Sequence, residues 1–185
     1  IFPWFSPGQP ILWWSPAPRM VLYPEELHVS RSLRKALRGR GFEVSVDLAF
    51  DAVIRACAAP RDDSDGTWLV PEMITSYSAL HRAGHAHSIE TWQGGELIGG
   101  LYGVKIGQVF FGESMFSRRS DASKIAFTLL AEIGRELPLR FIDCQIYTGH
   151  LASLGARHVP REAFQHELAL AIEQHAEPLR RRLPY

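Results

Sequence analysis

Cysteine is scarce in this chain: among 185 residues only Cys57 and Cys144 occur, both in apolar stretches and without CxxC spacing. That excludes a disulfide framework and a cysteine-based zinc site, and it fits a reducing cytoplasm. An excess of either charge is also missing, since 20 Lys and Arg offset 20 Asp and Glu. The molecule as a whole therefore has no field that would attract nucleic acid, and only a local patch could do so. No apolar run approaches the roughly 18 residues of a membrane span, and the first residues lack the basic-then-apolar order of a signal peptide. A soluble, cytoplasmic protein without membrane contact is expected. Internal repeats and low-complexity tracts are absent too. The chain starts at Ile1 rather than Met, so upstream residues are expected to have been removed or left out.

What is present is an ordinary globular balance, 46% hydrophobic and 22% charged, enough for one sizeable core or two small ones. Residues 1–24 carry six prolines and Trp4, Trp13 and Trp14, so this segment reads as extended chain and turns pinned by aromatics. HVSRSLRKALRGRG, from His28 to Gly41, reads as a short helix with Ser30 as N-cap, Gly39 or Gly41 as stop, and Val29, Leu33 and Leu37 on one face. Phe42 to Val46 alternates like a strand, and Asp47 or Asp51 opens a helix running to about Ala58. The polar loop PRDDSDG, Pro60 to Gly66, marks the best boundary, giving an N-terminal lobe over 1–62 and a second domain over 63–185.

Beyond it, a helix over Pro71 to Ala83 precedes three strands, His87 to Trp92, Glu96 to Ile106 and Gln108 to Phe116, joined as a meander. Ser120 or Asp121 then caps a helix in which Ile125, Leu129, Ile133 and Leu137 recur every four residues. LRFIDCQIY (139–147) is a further strand, His150 to Gly155 at most a helical turn, and Arg161 to His175 a last helix. This is an α+β order, a mixed sheet flanked by helices with a smaller N-terminal lobe, and it resembles the core of GNAT-type acyltransferases.

Asp143 and Gln145 stand out in an otherwise apolar strand and, by alternation, share one face, with Ile142, Cys144 and Ile146 on the other. In VFFGESMFS the same arithmetic groups Phe111, Glu113 and Met115. An apolar pocket with a few convergent polar groups is the usual form of a small-ligand site. The same carboxylates could instead anchor loops or pair with arginines. Cys144 with His150 nearby invites a nucleophile reading, but alternation turns its sulfur away from Asp143, and a cysteine beside isoleucines behaves as a small hydrophobe. His81, His85 and His87 lack a carboxylate at ligand spacing, so no metal site is expected. Arg31, Arg34, Lys35 and Arg38 form one stripe, either a solvated face or, with nearby tryptophans, a surface for single-stranded RNA. A CoA pyrophosphate normally meets a glycine-containing loop opening a helix, whereas SRRSDAS (117–123) has no glycine and an aspartate. A different acyl donor is suggested.

Nine stretches in order, FPWFSPGQPILWWSP (2–16), HVSRSLRK (28–35), GTWL (66–69), GHAHSIETW (84–92), LIGGLYGV (97–104), FGESMFSR (111–118), ASK (122–124), IDCQ (142–145) and HLASLGA (150–156), resemble the leucyl/phenylalanyl-tRNA protein transferases. That resemblance implies an enzyme without cofactor that moves Leu or Phe, and Met less well, from aminoacyl-tRNA to acceptor proteins with N-terminal Arg or Lys, in an N-degron pathway. It further implies Asp143 and Gln145 as a catalytic pair in which the carboxylate orients the amide and helps remove a proton from the attacking amine, with Glu113 beside them. Burial would raise the pKa of Asp143, while a hydrogen bond from Gln145 would favour its charged form. By the same resemblance, Leu101, Met115, Leu130 and Ile142 line the aminoacyl pocket, although alternation sets Ile142 opposite Asp143. Trp4 and Trp68 match the tryptophans at the 3′ adenosine, and Arg31, Arg34, Lys35 and Arg38 match the basic surface for the acceptor stem. A monomer is expected. Many members carry a segment ahead of the FPWF motif that this sequence does not include, and Leu101 and Leu130 stand where the family has larger or more flexible side chains. Two rival readings remain open: an RNA-binding module without turnover, and an N-acyltransferase using CoA.

Overall fold

The computed structural model describes residues 1–5, 8–39, 41–60, 69–174 and 179. Its centre is a seven-stranded sheet in the order β4-β5-β6-β7-β8-β3-β9. These strands are β3 (Arg19–Leu22), β4 (Phe42–Val46), β5 (Ala86–Gln93), β6 (Glu96–Ile106), β7 (Val109–Ser117), β8 (Phe141–Gln145) and β9 (Arg157–Val159). The meander read from the sequence is present as antiparallel β5, β6 and β7, and β8 joins β7 in parallel, as a strand returning after a crossover helix does. A small separate sheet pairs β1 (Phe2–Pro3) with β2 (Trp13–Trp14).

Helices cover both faces. On one side α4 (Ala122–Glu136) lies along the sheet, burying Ile125, Leu129 and Ile133 as their spacing requires, and α1 (Arg31–Gly39) adds Leu33. Ser30 caps α1, its hydroxyl accepting from the Leu33 N–H at 3.2 Å. Leu37, expected on the buried face, is 37% exposed, and Ala36 takes its place inside. The approach of α4 depends on Gly99: a Cβ there would stand 2.5 Å from that of Ala122. On the opposite side α2 (Phe50–Ala58) and α3 (Pro71–Arg82) pack over β5 and β6 around Phe50, Tyr77 and Tyr102. Farther along, α6 (Arg161–Ile172) closes a cluster of Val21, Val109, Phe141 and Phe164. The short α5 (Gly149–Ala152) follows β8.

Two elements were not foreseen. The proline-rich opening contributes β3, wedged between β8 and β9, and β9 itself edges the sheet. The boundary expected at 62/63 lies outside the described residues, and strands from both sides of it share this one sheet: β3 pairs with β8 and β4 with β5. Asp47 does not open a helix. With φ at 58° it sits in a turn, accepting from the Ser88 N–H at 2.8 Å and bonding His87 Nδ1 at 2.7 Å. Among the described residues no helix is long and apolar enough to cross a membrane, and no group of three or more metal-ligating side chains converges.

Candidate active site

The parallel strands β7 and β8 pair only at Val109 with Phe141, Phe110 with Ile142 and Phe111 with Asp143. Past that point they part, and a cavity of about 960 Å³ opens where their ends diverge. Gly112 to Ser117 line it from β7, and Asp143, Cys144 and Gln145 from β8. Because no neighbouring strand fills the gap, residues of both faces reach it. Leu101, Phe110, Met115, Phe127, Leu130 and Leu151 make its apolar part, a set drawn from the α4 side of the sheet. Trp4 and Phe5 line it as well.

The register of β6 with β7 explains how Glu113 enters this space. Tyr102 pairs with Ser114 and Gly103 with Gly112, so Glu113 is the extra residue of a β-bulge. Bulges re-aim side chains and break alternation. Phe111, Glu113 and Met115 therefore do not share a face as simple counting suggested: Phe111 packs with the α6 cluster and Met115 with the α4 cluster. The bulge also needs Gly103, where a Cβ would run into the carbonyl of Phe111 and stand 2.5 Å from the Phe110 ring.

Glu113 accepts a hydrogen bond from the Tyr77 hydroxyl at 2.9 Å. Burial pushes its carboxyl up to about 7; the Tyr77 bond opposes this, the Asp143 charge adds to it, and a hydrogen bond from the Gln145 side chain opposes it. Tyr77 itself is raised by burial and then by the same carboxylate, so it remains a hydroxyl donor.

Asp143 is fully buried and its oxygens are engaged. Arg19 reaches it with two parallel bonds, Nε to Oδ1 at 2.9 Å and a terminal guanidinium nitrogen to Oδ2 at 2.7 Å, and the backbone N–H of Gln145 donates to Oδ1 at 2.9 Å. Gln145 has φ at 65°, a left-handed conformation uncommon outside glycine, asparagine and aspartate. Arg19 is 2% exposed, its guanidinium carbon 5.4 Å from the centroid of the Phe2 ring and 5.1 Å from that of Phe164. Nothing in the proline-rich opening marked it out in the sequence; its only signal is an isolated basic residue before the apolar run MVLY.

Ile142 is a correction. It is fully buried in the α4-side core and is not among the residues lining the cavity, since it lies within the paired part of β8, opposite Phe110. Cys144 does reach the cavity, but burial raises its thiol far from ionisation and Asp143 reinforces this, which removes it as a nucleophile. His150, also lining the cavity, is lowered by burial. Trp68 lies outside the described residues. Arg31, Arg34, Lys35 and Arg38 are exposed and together border a groove of about 430 Å³, with no ion pair to a carboxylate among the described residues.

The sequence pattern of a family described as leucyl/phenylalanyl-tRNA protein transferase matches residues 21–169, and that of the same family's N-terminal domain matches residues 1–17. The chain is 62% identical over 164 residues to the leucyl/phenylalanyl-tRNA protein transferase of Chromobacterium violaceum, covering 89% of this chain and 70% of that protein. It is 62% identical over 168 residues to the transferase of the same name from Nitrosospira multiformis, covering 91% and 72%. For the Pseudomonas fluorescens protein of that name the figures are 58% over 173 residues, 94% and 76%. Among solved structures, a GCN5-related N-acetyltransferase from Kribbella flavida overlaps with a TM-score of 0.43 at 15% identity, covering 76% of this chain and 53% of that one. A functionally unknown conserved protein from Staphylococcus epidermidis overlaps with a TM-score of 0.45 at 10% identity, covering 76% and 56%.

Proposed function

The chain belongs to the leucyl/phenylalanyl-tRNA protein transferase family and is an aminoacyltransferase, and from that premise we propose that it carries Leu or Phe, and Met less well, from the 3′ end of tRNA to acceptor proteins with N-terminal Arg or Lys. The product would enter an N-degron pathway, the enzyme would work in the cytoplasm as a monomer, and no cofactor would take part. The observation that carries this reading is the cavity between the parted strands, whose apolar lining meets Glu113, Asp143 and Gln145.

The donor is an activated ester, so the enzyme's task is mainly to hold an uncharged α-amine against the ester carbonyl. Leu101, Met115 and Leu130, with Phe110 and Phe127, receive the aminoacyl side chain. Trp4, half exposed at the cavity, offers a ring to the terminal adenine, with Trp68 as the family's second such residue. The basic stripe of α1 takes the phosphates of the acceptor stem as counterions do.

Glu113 is the proton acceptor in this mechanism. A carboxyl poised at about 7 can take the proton that the amine loses as its nitrogen bonds to the carbonyl carbon. The bond to the ribose oxygen then breaks, and the same proton passes to that oxygen, leaving a peptide bond and a free hydroxyl. Asp143, with both oxygens held by Arg19 and the Gln145 backbone N–H, serves to orient its neighbours. Gln145 presents its amide to the reacting carbonyl and to Glu113.

Incubation with charged Phe-tRNA and an Arg-initiated peptide tests the proposal. Extension of the peptide by one Phe is expected. Retention of tRNA without product would reduce the chain to a binding module, and product only with acyl-CoA would make it a small-molecule acyltransferase.

A further inference from the structure

Arg19 bonds Asp143 and not Glu113, the proposed proton acceptor, yet its placement is costly. Bringing a guanidinium and a carboxylate out of water is repaid only when the geometry is very good, and an apolar pair in the same place is commonly as stable. Here the pair is built to the best geometry available, a planar fork meeting a carboxylate in two parallel bonds of 2.9 and 2.7 Å, with two aromatic rings within 5.4 Å of the guanidinium carbon. The bulge in the β3–β8 register between Met20 and Val21 lies directly beside Arg19.

The carboxylate so held has one further contact on its Oδ1, the backbone N–H of Gln145. That bond goes with the left-handed turn at Gln145, a strained conformation for a residue other than glycine that persists only where the surroundings enforce it. The turn ends β8 at the cavity and sets the direction of the Gln145 side chain. We propose that Arg19 is a positioning residue for aminoacyl transfer: by fixing the Asp143 carboxylate it holds Gln145 in its turned conformation, with the amide facing Glu113 and the reacting ester. This rests on the transferase reading of the cavity. It also assigns a role to the Phe2 and Phe164 rings, which steady the fork from the N-terminal segment and from α6.

The chain of cause runs from Phe164 and Phe2 to Arg19, from Arg19 to Asp143, and from Asp143 to Gln145. Lysine in place of Arg19 keeps the charge but loses the planar fork. In Arg19→Lys, kcat for peptide extension falls by roughly 10- to 100-fold, the scale of a small misplacement at a reacting centre, while KM for tRNA and for peptide stays within about twofold. Asp143→Asn lowers kcat in the same way, and Arg19→Lys/Asp143→Asn is no worse than Asp143→Asn alone, because one device has been broken twice. Losses that multiply would show that Arg19 acts by another route and overturn the proposal. A second readout does not depend on turnover: the Gln145 backbone amide resonance shifts and its hydrogen exchange accelerates in Arg19→Lys. Should that variant not fold, Phe164→Leu, which removes only a ring beside the fork, is read by the same two measures, with a smaller fall in kcat. If wild-type protein forms no product, the transferase reading fails while the amide measurement still judges the clamp. An unchanged Gln145 amide in the folded variant overturns it.

Discussion

The Tyr77 hydroxyl, carried by α3, reaches Glu113 at the bulge of β7 and donates to its carboxylate at 2.9 Å. One group in this contact is kept protonated by burial, and the other is poised at about 7. Turnover should therefore rise with pH through about 7 with the slope of one ionisation, and Glu113→Gln should flatten that rise and lower kcat. A wild-type profile that is level across this range, with chemistry limiting, would remove Glu113 as proton acceptor.

The same carboxyl makes stability depend on pH. Its folded pKa of about 7 lies above the ordinary 4.5, so between these values the folded protein keeps a proton that the unfolded chain releases. Stability is then greatest below the lower value and declines as pH rises through the upper one, by on the order of 3 kcal/mol. Urea unfolding of wild type and Glu113→Gln at about pH 5 and about pH 8 should show this decline in the first protein and its loss in the second.

Removing the Asp143 carboxylate strands a buried guanidinium. Asp143→Ala should lose about 3 to 5 kcal/mol of unfolding free energy and most of its turnover, with tRNA affinity nearly intact. A filter-binding comparison at constant salt checks the last point, and a parallel loss of affinity would contradict it.

Arg34 sits in the basic groove of α1 without a carboxylate partner among the described residues. Arg34→Ala should weaken tRNA binding at every salt concentration and reduce the slope of log K against log salt by roughly one phosphate contact. An unaltered slope would return α1 to the status of a solvated surface.

Leu130 lines the cavity and is 1% exposed. Leu130→Ala enlarges the apolar part at a stability cost of about 2 to 5 kcal/mol, and it should move selectivity toward Phe over Leu by about 1 to 3 kcal/mol in kcat/KM. Competition between the two charged tRNAs measures it directly.

The periodic parts of this molecule were legible in its sequence. The meander, α4 and β8 announce themselves through alternation or four-residue spacing, and the basic stripe of α1 through its charges. Glu113, Asp143 and Gln145 were legible as polar interruptions of apolar strands, and they do converge on one cavity. What was not legible depends on pairing between distant segments. Strand β3 hides among prolines because its strand character comes from its neighbours β8 and β9, so Arg19 carries no local signal of its role. The bulge at Glu113 is a matter of register, which alternation assumes rather than reports, and the same assumption grouped Phe111 with Met115. Ile142, which the resemblance assigns to the cavity, stays out of it because β8 is still paired with β7 at that position, whereas Cys144 on the same face lies past the pairing and reaches it.

The placement of β3 also has a bearing on synthesis. A ribosome delivers Arg19 long before Asp143, 124 positions later, and β9 later still. Until both flanking strands have emerged, β3 has no ladder to join and its arginine no counterion, so a nascent chain cannot hold a partly working centre. Contacts of such long sequence separation form slowly and late. The order of the elements along the chain therefore makes the Arg19–Asp143 pair, and the site it supports, form only after β8 and β9 have been synthesised.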